Sequence, residues 1–365
     1  MMSIIQLVTK CTPTEWQVPL ELCPLPSRGS DQGLWIDPVA FIQVLNGWEL
    51  AAWAIGTAQR MQFWVLPKPR GPGAPQTYRD ESVLLTSLVA AAWRLSYERI
   101  TEWLARYDAL AEALRYDQFD PWGRRCTISP AQYSRRLRAL GLLPYFLIFV
   151  ALVAALLKMG LIQGWDLIID SSLLAAWRQD DPDAAWSWPS TWKGRVFGYK
   201  VHTILCRWSY LPLFFVVTPA HRNDGPLAIP MFAAVVLLYH LRIRVVRADA
   251  AYFNYAFLGF IRNVLHASVN VDYNLRRQGK RFLADLFFIR QWRDLMSPRA
   301  NIERHFAWMK RYFGLNHFRV QGYLAVTQFV FRVYIAALVV AFIAARYQRP
   351  ELATSRLKVL AFVNT

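Results

Sequence analysis

Cysteine is scarce and scattered. Cys11, Cys23, Cys126 and Cys206 form no CxxC pair and no Cys/His spacing, so a zinc site or a disulfide framework is not expected and reduced thiols are the simple reading. Acids are also few: 25 Asp and Glu face 42 Lys and Arg over 365 residues, a formal charge of +17. That excess favours a polyanionic partner, either nucleic acid or an anionic membrane surface. No internal repeat and no low-complexity segment is present, which removes solenoid architectures. The first residues lack the charged-then-apolar order of a secretory signal, so a cytoplasmic protein is expected.

Apolar residues, by contrast, are abundant. Hydrophobic residues make up 55% and aromatics 15%, so disorder is not the default state, and the length suffices for two or three domains with real cores. Two long runs raise a membrane reading. The stretch 146–157 is only twelve residues before Lys158, short of the roughly 20 that a spanning helix needs. The stretch 323–347 is interrupted by Gln328 and Arg332, and an arginine in mid-bilayer costs about 2.5 kcal/mol or more. Buried helices explain both runs better, and no membrane partner is expected. A polytopic membrane protein is the rival reading.

The chain divides by composition. Residues 1–66 are apolar and Trp-rich, without a recognisable chemistry, and 67–81 is a Pro/Gly-rich basic linker. Residues 82–164 read as helical, with a break near Leu95–Ser96. Within them "TISPAQYSRRLRALG" sets Ser129 as N-cap, Pro130 at the first helical position and Gly141 at the far end. Arg135, Arg136 and Arg138 crowd this helix, which either enters a DNA groove after the manner of a helix-turn-helix or presents a solvated basic face.

From 165 to 320 the pattern turns to strands. Runs at 165–170, 198–206, 211–220, 243–249 and 267–274 alternate with helical stretches at 227–241, 251–265 and 297–315, which makes a mixed five-stranded sheet flanked by helices. Residues 321–365 supply a C-terminal helix and tail.

Asp170 and Asp249 each end a short apolar run. In open α/β sheets ligands bind outside the carboxyl ends of the strands. If these two strands are parallel neighbours, their carboxylates converge and repel unless cations neutralise them. Hard oxygen ligands of this kind suit magnesium, and a third acid would complete a two-metal cradle. Glu303 is the candidate. It sits in "SPRANIERHFAWMKRYFGL" (297–315), a helix capped by Ser297 and Pro298 whose buried stripe is Ile302, Phe306, Met309 and Phe313. Arg299, Glu303 and Lys310 share another face, where Arg299 and Lys310 would hold phosphates beside the acid; a solvated face is the plain alternative. Asp272 is a rival third acid. Asp180, Asp181 and Asp183 read as solvated turn residues. His305 either orients a metal water or faces solvent or phosphate.

"LIIDSS" (167–172), "GYKVH" (198–202), "VTPAHRND" (217–224), "RADAAY" (247–252) and "RANIERHFAWMKRYFGL" (299–315) occur in the order and character of the DDE transposases of bacterial insertion sequences. The chain resembles the group with a Tyr–Arg–Glu–Lys signature. Arg299, Glu303 and Lys310 reproduce its spacing, and Met296 stands where that signature has Tyr. The resemblance covers roughly residues 78–325.

It implies an RNase H-like catalytic domain with an all-helical DNA-binding region before it. Asp170, Asp249 and Glu303 would bind two Mg²⁺, with Mn²⁺ as a substitute. The implied reaction is cleavage at transposon ends and transfer of the freed 3′-OH into target DNA, by a homodimer on terminal inverted repeats. Family likeness inclines Lys200 and His202 toward DNA. For Trp177, Trp186, Trp188 and Trp192, packing beneath the loop after the first strand is favoured over stacking on an unpaired base. The alternative is a decayed or domesticated DNA-binding protein that keeps this fold, which the Met296 departure leaves open.

Overall fold

The structure is a computed structural model, and it describes residues 78–188, 194–271, 300–346 and 348–354. The expectations for 1–66, the linker up to 77, Trp192, Asp272, Met296, Ser297, Pro298 and Arg299 fall outside these residues.

Local signals decide where the helices of the first region begin and end. Helix α1 (Asp80–Trp93) stops at Arg94, whose left-handed backbone (φ 57°) turns its N–H onto the carbonyls of Ala90 and Ala91. Two residues on, the Ser96 side chain accepts from the Arg99 amide and starts α2 (Tyr97–Arg106), so the break lies where the sequence predicts it. A short α3 (Asp108–Ala113) follows. Helix α4 (Pro130–Leu140) opens on a full capping box, in which Ser129 and Gln132 satisfy each other's backbone N–H groups. It buries Tyr133, Leu137 and Leu140, the apolar side read from the sequence. Helix α5 (Leu143–Lys158) is almost wholly apolar.

The described residues fall into two compact units. The helical unit draws on residues within 78–155, 312–314 and 324–354. Its centre is the C-terminal helix Tyr323–Arg346, whose interrupting polar residues are both satisfied inside the protein. Gln328 Nε2 donates to the carbonyls of Leu137 (2.9 Å) and Gly141 (2.7 Å), which ties down the end of α4. Arg332 is 5% exposed, bonded to Tyr97 and surrounded by Tyr133 and Tyr145. This helix is long and apolar enough to cross a membrane, yet 89% of its most apolar window is buried within the protein. It is a core helix.

The second unit draws on residues within 156–311 and 315–323 and holds the sheet. Its strands are β1 (Asp166–Ala175), β2 (Ala185–Trp186), β3 (Phe197–Cys206), β4 (Pro212–Pro219), β5 (Val245–Ala248) and β6 (Ser268–Val271). β3 lies between β1 and β4, antiparallel to both, while β5 and β6 extend the far side of β1 in parallel. The sheet is therefore mixed and six-stranded, one more strand than the sequence predicts. The extra element is β2, two residues inside the Trp-rich loop that pair with Phe197 and Gly198. Gly198 is required there: a Cβ would come within 2.1 Å of the Leu174 carbonyl oxygen.

Helix α6 (Gly225–Tyr239) links β4 to β5, and a 3₁₀ turn (Ala250–Tyr252), α7 (Tyr255–Gly259) and a π turn (Phe260–Val264) link β5 to β6. The single helix expected over 251–265 is thus three short pieces, because Asn254 adopts an extended backbone and caps Phe257 afresh. Helix α8 (Ala300–Tyr312) closes the unit, burying Ile302, Phe306 and Met309 as its periodicity predicts.

Candidate active site

Strand register brings the first two acids together. The β1–β5 ladder runs from Asp166↔Val245 to Ile169↔Ala248, so the next positions along it are Asp170 and Asp249. Parallel strands lie about 4.8 Å apart, and side chains alternate between faces. Asp170 and Asp249 accordingly share a face with each other and with Asp166 and Arg247, two residues whose side chains meet at 2.8 Å. Each acid is oriented by one backbone amide. Ser171 N–H donates to Asp170 Oδ1 (2.7 Å), and Ala251 N–H donates to Asp249 Oδ1 (2.9 Å).

Glu303 comes from α8. Asn301 donates to the Arg207 carbonyl (3.1 Å) and His305 Nδ1 meets the Tyr210 carbonyl (2.9 Å), which fixes one flank of the helix on the β3–β4 turn. At the helix's other end, Lys310 Nζ donates to the Leu173 carbonyl (3.3 Å), three residues past Asp170. Glu303, two turns before Lys310, shares that flank and is exposed. Among the described residues no set of three or more His, Cys, Asp or Glu side chains lies close enough to hold one metal. The β1–β5 ladder thus ends one residue short of Asp170 and of Asp249, and Glu303 is exposed on α8.

Carboxylates are the ligand type that a hard divalent cation takes. Magnesium needs only one or two carboxylates, filling its remaining positions with water and substrate phosphate.

Behind the pair, on the opposite face, lies a network that the sequence reading missed. Asp224, with 13% side-chain exposure, accepts from Lys200 Nζ (2.9 Å) and Ser171 Oγ (3.1 Å), and His202 Nδ1 stands 3.5 Å away. Lys200 also donates to the Arg222 carbonyl. His202 is fully buried with Nε2 at 3.0 Å from Thr218 Oγ1. Burial pushes its pKa down to about 4, with Asp224 raising and Lys200 lowering it, so the ring is neutral. The DNA-facing expectation for Lys200 and His202 has this physical difficulty: β3 is an inner strand, and both side chains turn toward Asp224 rather than to solvent. The hint in the sequence was that "GYKVH" carries polar residues within an otherwise apolar strand, and that "HRND" puts more polar residues in the turn after the next one.

Other expected residues take varied places. Arg135 and Arg138 are exposed on α4, but Arg136 is bound to Asp80 (2.5 Å) and to the Tyr78 carbonyl (3.0 Å). His305 is fully buried, and that burial lowers its pKa to about 4, so it is not a solvated or phosphate-facing group. Of the loop acids only Asp180 and Asp183 are exposed. Asp181 is 3% exposed and accepts from Tyr199 Oη (2.8 Å) and Gly322 N (3.1 Å), a correction to the solvated-turn expectation. Trp177, Trp186 and Trp188 are 54%, 54% and 68% exposed, rather than packed beneath their loop. The Arg319 guanidinium lies over Trp177, and Trp188 donates to the His221 carbonyl.

Residues 163–339 match the family model of the transposase DDE domain. This region is a DDE transposase domain. The match starts just before β1 and takes in both strand-end acids, α8 and most of the C-terminal helix. No curated protein matches the chain. A DDE transposase domain implies a metal-dependent nuclease or transferase acting on DNA, and the mixed six-stranded sheet flanked by helices agrees with an RNase H-like fold.

Proposed function

We propose that the protein is a DNA transposase that cuts at the ends of its element and joins the freed 3′-OH to target DNA. The observation that carries this reading is the parallel pairing of β1 with β5, a ladder that ends one residue short of both Asp170 and Asp249, within a region matching the DDE domain. In this reading Asp170, Asp249 and Glu303 hold two Mg²⁺, with Mn²⁺ able to substitute. Metal bound there would supply Lewis-acid chemistry for displacement at phosphorus. The chain's own residues do the rest. The amides of Ser171 and Ala251 keep the two carboxylates aimed. Glu303 approaches on the flank that Lys310 anchors to β1, and Lys310 and Arg299 hold the phosphates that flank the scissile bond. Arg135 and Arg138 contribute to binding duplex DNA at the terminal repeats, where two protomers act together. The setting is cytoplasmic.

A second reading is a decayed DNA-binding protein, favoured by Met296 in place of Tyr and by the exposed position of Glu303 outside any three-acid cluster. Paired assays decide between them. Asp170→Asn, Asp249→Asn and Glu303→Gln keep side-chain size but remove the charge a metal needs. Cleavage of end-containing DNA in Mg²⁺ should collapse in all three while gel-shift affinity survives. Wild-type protein that binds such ends and never cuts them would establish the second reading.

A further inference from the structure

The two residues whose amides aim the strand-end acids, Ser171 and Ala251, both neighbour one dipeptide, Asp224–Gly225. On one side Asp224 Oδ2 accepts from Ser171 Oγ (3.1 Å), and it is the Ser171 amide that holds Asp170. On the other side Gly225 packs against the turn after Asp249. A Cβ there would stand 3.2 Å from Asn254 Nδ2 and 3.4 Å from the carbonyl oxygen of Ala251, the residue whose amide holds Asp249. A methyl group there would press on both, so the contact is close. Lys200 neutralises Asp224 at 2.9 Å and is fixed in turn by the Arg222 carbonyl (3.0 Å). Tyr252, three residues past Asp249, is fully buried.

We propose that Asp224, charge-balanced by Lys200, is a positioning residue that clamps the Asp170 and Asp249 carboxylates into one metal-binding geometry, and that Lys200 serves this clamp rather than DNA. The proposal rests on the transposase reading above. Both carboxylate oxygens of Asp224 are engaged, Oδ1 by the Lys200 ammonium and Oδ2 by the Ser171 hydroxyl, and charge-assisted bonds hold geometry most firmly. Partners behind a metal ligand typically alter metal affinity or activity 10–100-fold when removed.

The test uses the full chain with Asp224→Asn, Lys200→Met, the double variant, Ser171→Ala, and Asp170→Asn as control. Mn²⁺ binding is titrated calorimetrically on DNA-free protein, and end-DNA affinity is measured without metal across a salt series. The clamp predicts that Asp224→Asn and Lys200→Met each weaken Mn²⁺ binding about tenfold. The double variant should be no worse than either single one, since both break one unit. DNA affinity and its salt slope should stay at wild-type values. If Lys200→Met instead lowers the salt slope by about 0.9 while Asp224→Asn binds Mn²⁺ normally, Lys200 is a phosphate contact and the clamp is refuted. Should Asp224→Asn fail to melt cooperatively, Ser171→Ala decides: weakened Mn²⁺ binding supports the clamp, and unchanged binding overturns it. Unchanged Mn²⁺ binding by Asp170→Asn would refute the transposase site itself, a different outcome from either.

Discussion

His202 shows how much one residue's setting can differ from its sequence appearance. A histidine in "GYKVH" looks free to titrate, yet it is sealed between Thr218 and the Asp224–Lys200 pair with no exposed surface. Its pKa falls from 6.5 to about 4, chiefly through burial. The folded state therefore binds this proton less readily than the unfolded chain. Stability from this source is complete above about pH 6.5 and is lost as pH falls toward 4, at up to about 1.4 kcal/mol per pH unit. Urea melts at pH 7.5, 6 and 4.5 check this. His202→Gln, which cannot take up a proton, should flatten the decline relative to wild type. An equal decline in the variant would assign it to other groups. Asp166 is a second residue without an obvious sequence signal. It is fully buried on the face of the acid pair, where it accepts from Arg247 Nε (2.8 Å), Arg247 Nη2 (3.1 Å) and Arg207 Nη1 (3.0 Å). Three charge-assisted bonds make its ionised form tolerable inside the sheet.

Single elements differ in how much of them can be read directly. Helix α4 was legible end to end, because its capping box, its N-terminal proline and its terminating glycine all act within a few residues of chain. The parallel pairing of β1 with β5 was legible as a condition, because each strand is a short apolar run ending in an acid. Asp224 was not, since its partners Lys200 and Ser171 lie 24 and 53 positions away and no local spacing encodes them. Asp181 failed for the same reason: the amide it caps belongs to Gly322, 141 positions on. Within α4 the three arginines separate into two kinds, which a sequence cannot do. Arg136→Ala should cost about 1–3 kcal/mol, because it strands the mostly buried Asp80 carboxylate. Arg135→Ala and Arg138→Ala should leave the melting temperature in place. If the basic face binds DNA, each of these two lowers end affinity, and thermal melts run beside gel shifts distinguish the classes.

At the scale of the whole molecule, two bulk properties pull toward different partners. The apolar content supplies a helix of membrane-crossing length, but its interior is spent on protein, with Arg332 enclosed by tyrosines and Gln328 capping α4. The charge of +17 is left to act outward. That figure is what is left after every acid is offset, and Arg136, Arg207, Arg247 and Lys200 are among the cations that pair with acids of the same chain. What remains on the surface includes Arg135 and Arg138 on α4 and Arg304 on α8. Counterions released from DNA by such groups make affinity fall with salt at about −0.9 per phosphate neutralised, in log–log terms. A protein of this kind touching six to ten phosphates should show a slope of roughly −5 to −9 on end-containing duplex. Removing Arg135 and Arg138 together should shallow it by about 2. Fluorescence anisotropy at five salt concentrations, with vesicles of anionic lipid as competitor, measures both quantities. A slope near zero, or DNA displaced by vesicles at equal charge, would transfer the basic surface from nucleic acid to a lipid headgroup layer.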